Sequence, residues 1–225
     1  MLRPMLSSRR CARKRRNVSC NTMKKNKKKG LFIVFEGLDG SGQGTQMALL
    51  ERYLRSKREK TYITSEPSHN LIGGLIRSLL RAHWKMNNTG IQLLYCADRA
   101  HHLEAEIEPV LVKGCHVICG RYRFSTMAFG SINNDVAWLE TLNEKFPDPD
   151  VTIFLDVPPK ECLRRIHAGR PSSELFETEK KLKKVYSTYK KLLSDTKYRN
   201  IHSVNGNRPP ETIAKDIAGI IEKYR

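Results

Sequence analysis

From Leu31 onward, short unbroken apolar runs alternate with longer stretches in which apolar residues recur every three or four positions. Leu31-Phe-Ile-Val-Phe35 ends in Glu-Gly and reads as a strand buried on both faces. Cys115-His-Val-Ile-Cys119 and Val151-Thr-Ile-Phe-Leu155 read the same way. Tyr62-Ile-Thr64 reads as a short strand stopped by Glu66-Pro67, and residues 200–204 as the last strand. Between them, Met47, Leu49, Leu50, Tyr53 and Leu54 mark a helix over 45–56. Helical periodicity also fills 71–82, 92–113, 160–167, 174–193 and 211–223. In the 174–193 segment Phe176, Leu182, Tyr186, Tyr189 and Leu193 form a core-facing stripe. Strands that alternate with helices predict an α/β domain over 30–225, with a parallel five-stranded sheet covered on both faces.

The chain has 225 residues, enough for one substantial α/β domain and too few for two. No apolar run approaches the ~20 residues a membrane-spanning helix needs, so no membrane role is expected. Cys11, Cys20, Cys96, Cys115, Cys119 and Cys162 form no Cys-x-x-Cys pair, which points to a reducing compartment rather than a disulfide scaffold. The net charge of +18 is uneven, because residues 1–29 hold twelve Lys and Arg and no acid. Residues 30–225 then carry 29 basic against 23 acidic side chains, a net of +6, which suits a binder of phosphorylated small molecules. Like charges and no apolar periodicity predict a disordered leader over 1–29. Its composition fits an organellar transit peptide, a nuclear or nucleic-acid-binding tail, or a plain solvated extension ahead of Met23.

Between the first strand and the first helix lies Gly37-Leu38-Asp39-Gly40-Ser41-Gly42-Gln43-Gly44-Thr45, followed by Gln46. Glycines five apart at such a junction are what a phosphate cradle requires. They tolerate the backbone angles that aim successive N–H groups inward, and the helix N-terminus adds partial positive charge. The usual pattern ends in Lys and then Ser or Thr; here those places hold Gln43 and Gly44. A neutral Gln donor contributes roughly half as much as a charged one. Loss of the hydroxyl at 44 removes the usual magnesium ligand, and Thr45 lies one helical step away. On the loop alone, a tight turn that binds nothing also fits.

Beyond the loop, Phe32-Ile-Val-Phe-Glu-Gly-Leu-Asp-Gly-Ser-Gly and Thr45-Gln46 are followed by Thr64-Ser-Glu-Pro67 and Leu93-Leu-Tyr-Cys-Ala-Asp-Arg-Ala100. Gly114-Cys-His-Val-Ile-Cys-Gly-Arg-Tyr122, Phe124-Ser-Thr-Met-Ala-Phe129 and Pro149-Asp-Val-Thr-Ile-Phe-Leu-Asp-Val157 come next, and Asn205-Gly-Asn-Arg-Pro-Pro-Glu211 ends the series. In this order, over about 31–224, the chain resembles the thymidylate (dTMP) kinases. The resemblance implies a three-layer P-loop NTPase fold with a short lid, and transfer of the terminal phosphoryl group of ATP to dTMP with Mg2+. It further implies a homodimer, at work in the cytoplasm.

Residue by residue, the resemblance implies that Gly37 through Gln46 hold ATP, with Thr45 the candidate for Mg2+. Asp39, Pro67, Tyr95, Arg99, Arg121, Ser125, Thr126 and Phe129 would hold dTMP. Among these, Tyr95 would stack on the base and Arg99 donate to its edge, Arg121 would hold the acceptor phosphate, and Phe129 would crowd the sugar's 2′ side. Pro67 would shape the base pocket, in the family often through a cis bond. Gln43, Asp39, Arg121 and a lid cation would carry the chemistry, with Arg170 the first choice over Arg164 and Arg165. Periodicity alone makes Tyr95 a core residue and lets Arg99 pair with Glu104. His101 and His102 read as surface or packing residues, and Asp156 as a site neighbour or a turn cap.

Four positions depart from the family pattern: Gln43 for Lys, Gly44 for a hydroxyl residue, Gly120 for the Asp of Asp-Arg-Tyr, and Ser65 for an Arg before Glu-Pro. They leave room for a catalytically weak nucleotide-binding relative, or a kinase for another nucleoside monophosphate. Nucleic-acid binding is expected only through the leader.

Overall fold

The computed structural model describes residues 29–169 and 178–225. Residues 1–28 of the basic leader, and Arg170 with most of the segment read as a lid, lie outside the described residues.

The central strand β1 (Phe32–Glu36) is buried at all five positions, and β3 (His116–Gly120) and β4 (Val151–Asp156) pair with it on either side. The edges are β2 (Thr61–Ser65) and β5 (Ile201–Asn205), giving a wholly parallel sheet in the order β2-β3-β1-β4-β5. Because β1 is flanked on both faces, its side chains serve two cores. Ile33 and Phe35 pack with Met47, Leu50 and Leu54 of α1 (Gln43–Ser56) and Ile213, Ile217 and Ile221 of α9 (Pro210–Ile221). Phe32 and Val34 face Leu103, Ile107, Leu111 and Tyr122 on the other side. A third cluster joins Leu38 and Phe154 to α5 (Arg123–Gly130), α7 (Pro159–Gly169) and α8 (Glu179–Ser194). These are the three layers expected of the P-loop NTPase fold.

The helix expected over 92–113 is three pieces. It starts earlier, as α3 (Asn88–His102), where the Asn87 side chain accepts from Gly90 N–H at 2.7 Å. It then widens into a π-helical turn, Leu103–Ile107, before α4 (Glu108–Val112). Pro109 is the cause: it has no N–H to give the carbonyl one turn back and its ring crowds that carbonyl. Glu108 N–H instead reaches the Leu103 carbonyl, five residues back.

Two helices escape the periodicity reading. All but two positions of α5 are buried, so no polar face marks its period. The other, α6 (Val136–Asn143), is announced only by its cap, Asp135, which accepts from Trp138 N–H at 3.1 Å. A further helix, α2 (Leu71–Leu80), lies beside α3.

Strand order reverses at β1, so the loops after β1, β3 and β4 open a crevice at the strands' C-terminal ends, where ligands bind in such sheets. Central and edge strands should respond differently to truncation. Ile33 is fully buried and Ile63 on β2 is partly exposed. Urea denaturation of Ile33→Ala should show a loss of about 2–5 kcal/mol, and Ile63→Ala a loss under about 1 kcal/mol.

Candidate active site

At the end of β1 the chain turns through Gly37, Gly40 and Gly42, all with positive φ. At Gly42, φ is 93°, and the residue stands as N-cap of α1 in a left-handed conformation that admits glycine at little strain. Gly40 is also pressed against α7, where a methyl group would come within 2.5 Å of the Cys162 carbonyl. The first intrahelical bond runs from Gln46 N–H to the Gly42 carbonyl at 3.1 Å, so the N–H groups of Gln43, Gly44 and Thr45 precede the ladder. No side chain caps this end and no acid lies in its first turn, which leaves the partial positive charge there for an anion.

The loop's side chains divide. Leu38 is buried in the core, and Ser41 is buried with its hydroxyl unpartnered. Gln46 turns away from the loop: its amide donates to the Pro210 carbonyl at 3.0 Å, so the side chain braces α1 against α9. Gln43 folds back and donates to the Gly37 carbonyl at 3.0 Å. Thr45 and Gly44 are exposed at the mouth.

Arg121 follows β3 in a left-handed conformation, φ 67°, and its N–H donates to the Phe35 carbonyl at 2.7 Å. A non-glycine residue held so is strained, and such strain concentrates at functional sites. Its guanidinium donates to Asp39 at 2.6 Å and to the Gly37 carbonyl and Ser125 Oγ, each at 3.2 Å, beneath the Phe129 ring. Although burial opposes its charge, the Asp39 carboxylate raises the Arg121 pKa above the usual range.

Beneath this pair lies Glu36, fully buried. It accepts from Tyr122 N–H (3.0 Å), Ser125 N–H (3.2 Å), Ser125 Oγ (2.5 Å) and Tyr189 OH (3.0 Å), tying β1 to α5 and α8. Burial raises its carboxyl above the ordinary value, while the Ser125 hydroxyl and the Arg121 charge pull the other way.

Asp39, Pro67, Tyr95, Arg99, Arg121, Ser125, Thr126 and Phe129 all line one cavity of about 240 Å³. The Glu66–Pro67 peptide is cis. Tyr95 shares the wall with Arg99, and burial raises its hydroxyl above the usual range. Arg99 does not pair with Glu104. Its Nε and Nη2 donate to Glu66 at 2.9 and 2.6 Å, Nη2 also to Thr126 Oγ1 at 2.8 Å, and Nη1 to Asn143. The rings of Tyr122 and Phe146 lie against its guanidinium. Sequence reasoning missed Glu66, Arg77, Gln92 and Tyr122 in the same wall. A signal existed for Gln92, which is three and seven residues ahead of Tyr95 and Arg99 and so on the same helix face.

Other candidates go elsewhere. His102 is buried, with Nε2 2.7 Å from Thr64 Oγ1, while His101 meets Asn70 at the surface. Asp156 accepts from Tyr186 OH at 2.6 Å and pairs with Lys190 at 2.9 Å. Arg164 and Arg165 of α7 both bind Glu161, whose carboxyl they lower to about 2. Arg165 also reaches the Gly206 carbonyl and Asn207.

Gln43, Gly44, Ser65 and Gly120, the four departures from the family pattern, line a single adjoining hollow of about 370 Å³ that also borders Arg121. Met47 fills part of the space at Gly120, where a methyl group would meet its sulfur at 3.0 Å.

A family model described as thymidylate kinase matches residues 35–217. The chain is 36% identical over 206 residues to the thymidylate kinase of Plasmodium falciparum, a match covering 90% of this chain and 95% of that one. It is 34% identical over 203 residues to a probable thymidylate kinase of Thermococcus gammatolerans, covering 86% and 97%. The chain belongs to the thymidylate kinase family. A solved thymidylate kinase from Candida albicans superposes with a TM-score of 0.75 at 24% identity, covering 87% of this chain and 92% of that one. That likeness establishes the shared fold.

In this thymidylate kinase relative, Glu36 should be the residue on which the site's shape rests. Glu36→Gln sets an amide donor against a set of donors, and should lower stability by about 1–3 kcal/mol in urea denaturation.

Proposed function

We propose that the protein transfers the terminal phosphoryl group of ATP to dTMP, giving ADP and dTDP. The observation that carries this reading is the continuity of loop and cavity. Asp39 belongs to both, and its partner Arg121 also grips the Gly37 carbonyl. The backbone N–H groups of the loop hold the ATP phosphates. Pro67, Tyr95, Arg99 and Thr126 enclose the base of dTMP, and the Phe129 ring lies on its sugar. Arg121 and Ser125 hold the acceptor phosphate, while Asp39 Oδ2 accepts from the 3′-hydroxyl. An oxygen of that phosphate attacks the γ-phosphorus, and the bond from γ-phosphorus to the β,γ-bridging oxygen breaks. With Gln43 in place of Lys, positive charge at this point comes from Arg121 and from a lid cation, for which Arg170 is the candidate.

Magnesium fits this site as a companion of ATP. Among the described residues no group of three or more His, Cys, Asp or Glu could hold a metal, and the carboxylates of Asp39 and Glu66 already pair with arginines. The exposed Thr45 hydroxyl stands at the mouth, and an ion held mainly by phosphates and water needs little more. When bound, it neutralises charge on the transferring group.

The protein acts as a homodimer in this reading. Leu71 and Leu75 on α2 and Leu93 on α3 are large apolar side chains left exposed on adjacent helices, which supports burial against a second copy. The free thiols of Cys96, Cys115, Cys119 and Cys162 support a reducing compartment such as the cytoplasm. Among the described residues no helix is long and apolar enough to cross a membrane.

The decisive assay is ADP formation from ATP with dTMP, dUMP, dCMP or AMP as acceptor. Activity should depend on dTMP, and Gln43→Lys with Gly120→Asp should raise kcat by up to about 10²-fold. Binding of both nucleotides with no ADP formed would instead favour a binding protein that has lost catalysis, which the clustering of the four departures makes the rival reading. In light scattering, Leu93→Glu should convert a dimer to a monomer.

A further inference from the structure

Two residues of the cavity wall, Glu66 and Pro67, sit on the turn between β2 and α2. Glu66 is held by its N–H, which donates to the Gly120 carbonyl at 2.9 Å, and by Arg99 of α3. Pro67 has no N–H to give, so its backbone is anchored through its carbonyl and through the next residue, Ser68. Ser68 is fully buried, and its polar groups are met from two sides. Asp98 of α3, also fully buried, takes both donors: the N–H reaches Oδ2 at 2.7 Å and the hydroxyl reaches Oδ1 at 2.5 Å. From α2, Arg77 Nη1 donates to the Ser68 carbonyl and, at 3.1 Å, to that of Pro67. A methyl group at Gly73 would come within 1.9 Å of the Ser68 carbonyl oxygen, so α2 packs directly on the turn. Asp98 itself does not line the cavity. It lies three residues beyond Tyr95 on α3, with both carboxylate oxygens committed to the neighbour of Pro67.

We propose that Asp98 is a positioning residue for the acceptor nucleotide: by holding Ser68 it sets where Pro67 stands relative to the Tyr95 ring, and with that the width of the slot that takes the base. The proposal rests on the dTMP reading of the cavity. Tyr95 and Asp98 are one turn apart on the same helix, so a carboxylate that ties the Ser68 turn to α3 ties it to the ring as well. Without that carboxylate the buried N–H and hydroxyl of Ser68 lose their acceptor, and the turn must shift to find another. A base that meets a wall set in advance binds more tightly than one that must order it. An amide at position 98 can take over the task. Its oxygen accepts from the Ser68 N–H, its N–H donates to the hydroxyl oxygen, and the hydroxyl proton turns to Asn70 Oδ1, already in contact with Ser68 Oγ. The bonds of Asp98 go to Ser68 and not to the phosphate loop, so ATP binding is insensitive to it.

Calorimetric titration of the full chain with dTMP and, separately, with ATP tests this. Asp98→Ala should weaken dTMP by about ten- to a hundredfold and ATP by less than about twofold. Asp98→Asn should restore dTMP affinity to within about threefold of the wild type. Ser68→Ala keeps the backbone N–H bond and loses only the hydroxyl one, so it should weaken dTMP by about three- to tenfold, again without moving ATP. That milder variant decides the matter should Asp98→Ala fail to fold. A general role in stability would weaken both nucleotides of Asp98→Ala together, and that result overturns the proposal. So does dTMP affinity that Asp98→Ala and Ser68→Ala leave unchanged, or an Asp98→Asn protein as weak as Asp98→Ala. A wild type that binds ATP but no dTMP overturns the kinase reading itself.

Discussion

A carboxylate shut away from water at the tip of the central strand is tolerable only if its oxygens are met by donors. Glu36 meets that condition with two backbone N–H groups and two hydroxyls, drawn from the start of α5 and the middle of α8. The next residue, Gly37, opens the phosphate loop, and its carbonyl receives Gln43, Arg121 and the Tyr189 hydroxyl. Strand end, loop and Arg121 are thus held in one hydrogen-bonded unit. Tyr189 links the loop to α8.

The four departures from the family pattern share one place. Gln43, Gly44, Gly120 and Ser65, where the resemblance implies Lys, a hydroxyl residue, Asp and Arg, surround one hollow, so none of the four brings a charge to it. Gln43 keeps the loop's shape by bonding to the Gly37 carbonyl, and Met47 takes up part of the room beside Gly120. Both contacts preserve the shape of the loop and of the ground beside it.

Around Arg99 the cavity wall is instead held by charge that is fully paired. Arg99 is almost wholly buried and held by Glu66, Thr126 and Asn143, from three separate segments, so its plane is set before any ligand arrives. A guanidinium fixed in this manner loses little freedom on binding.

The five strands, most of the helices and the phosphate loop were legible because each rests on preferences that act over a few residues. Apolar runs mark buried strands, recurrence every three or four residues marks a helix face, and glycines mark positive φ. Periodicity failed where burial was nearly uniform, as in α5, or where Pro109 forced a wider turn. Spacing and resemblance brought together the residues that converge on the cavity. Neither could say that Arg99 would meet Glu66 and Asn143, 33 and 44 residues away, rather than nearby Glu104. Nor could they say that Gln92 would lie against Gly130 with its oxygen bare. Which donor meets which acceptor depends on the segments that packing makes neighbours, and only the folded chain decides that.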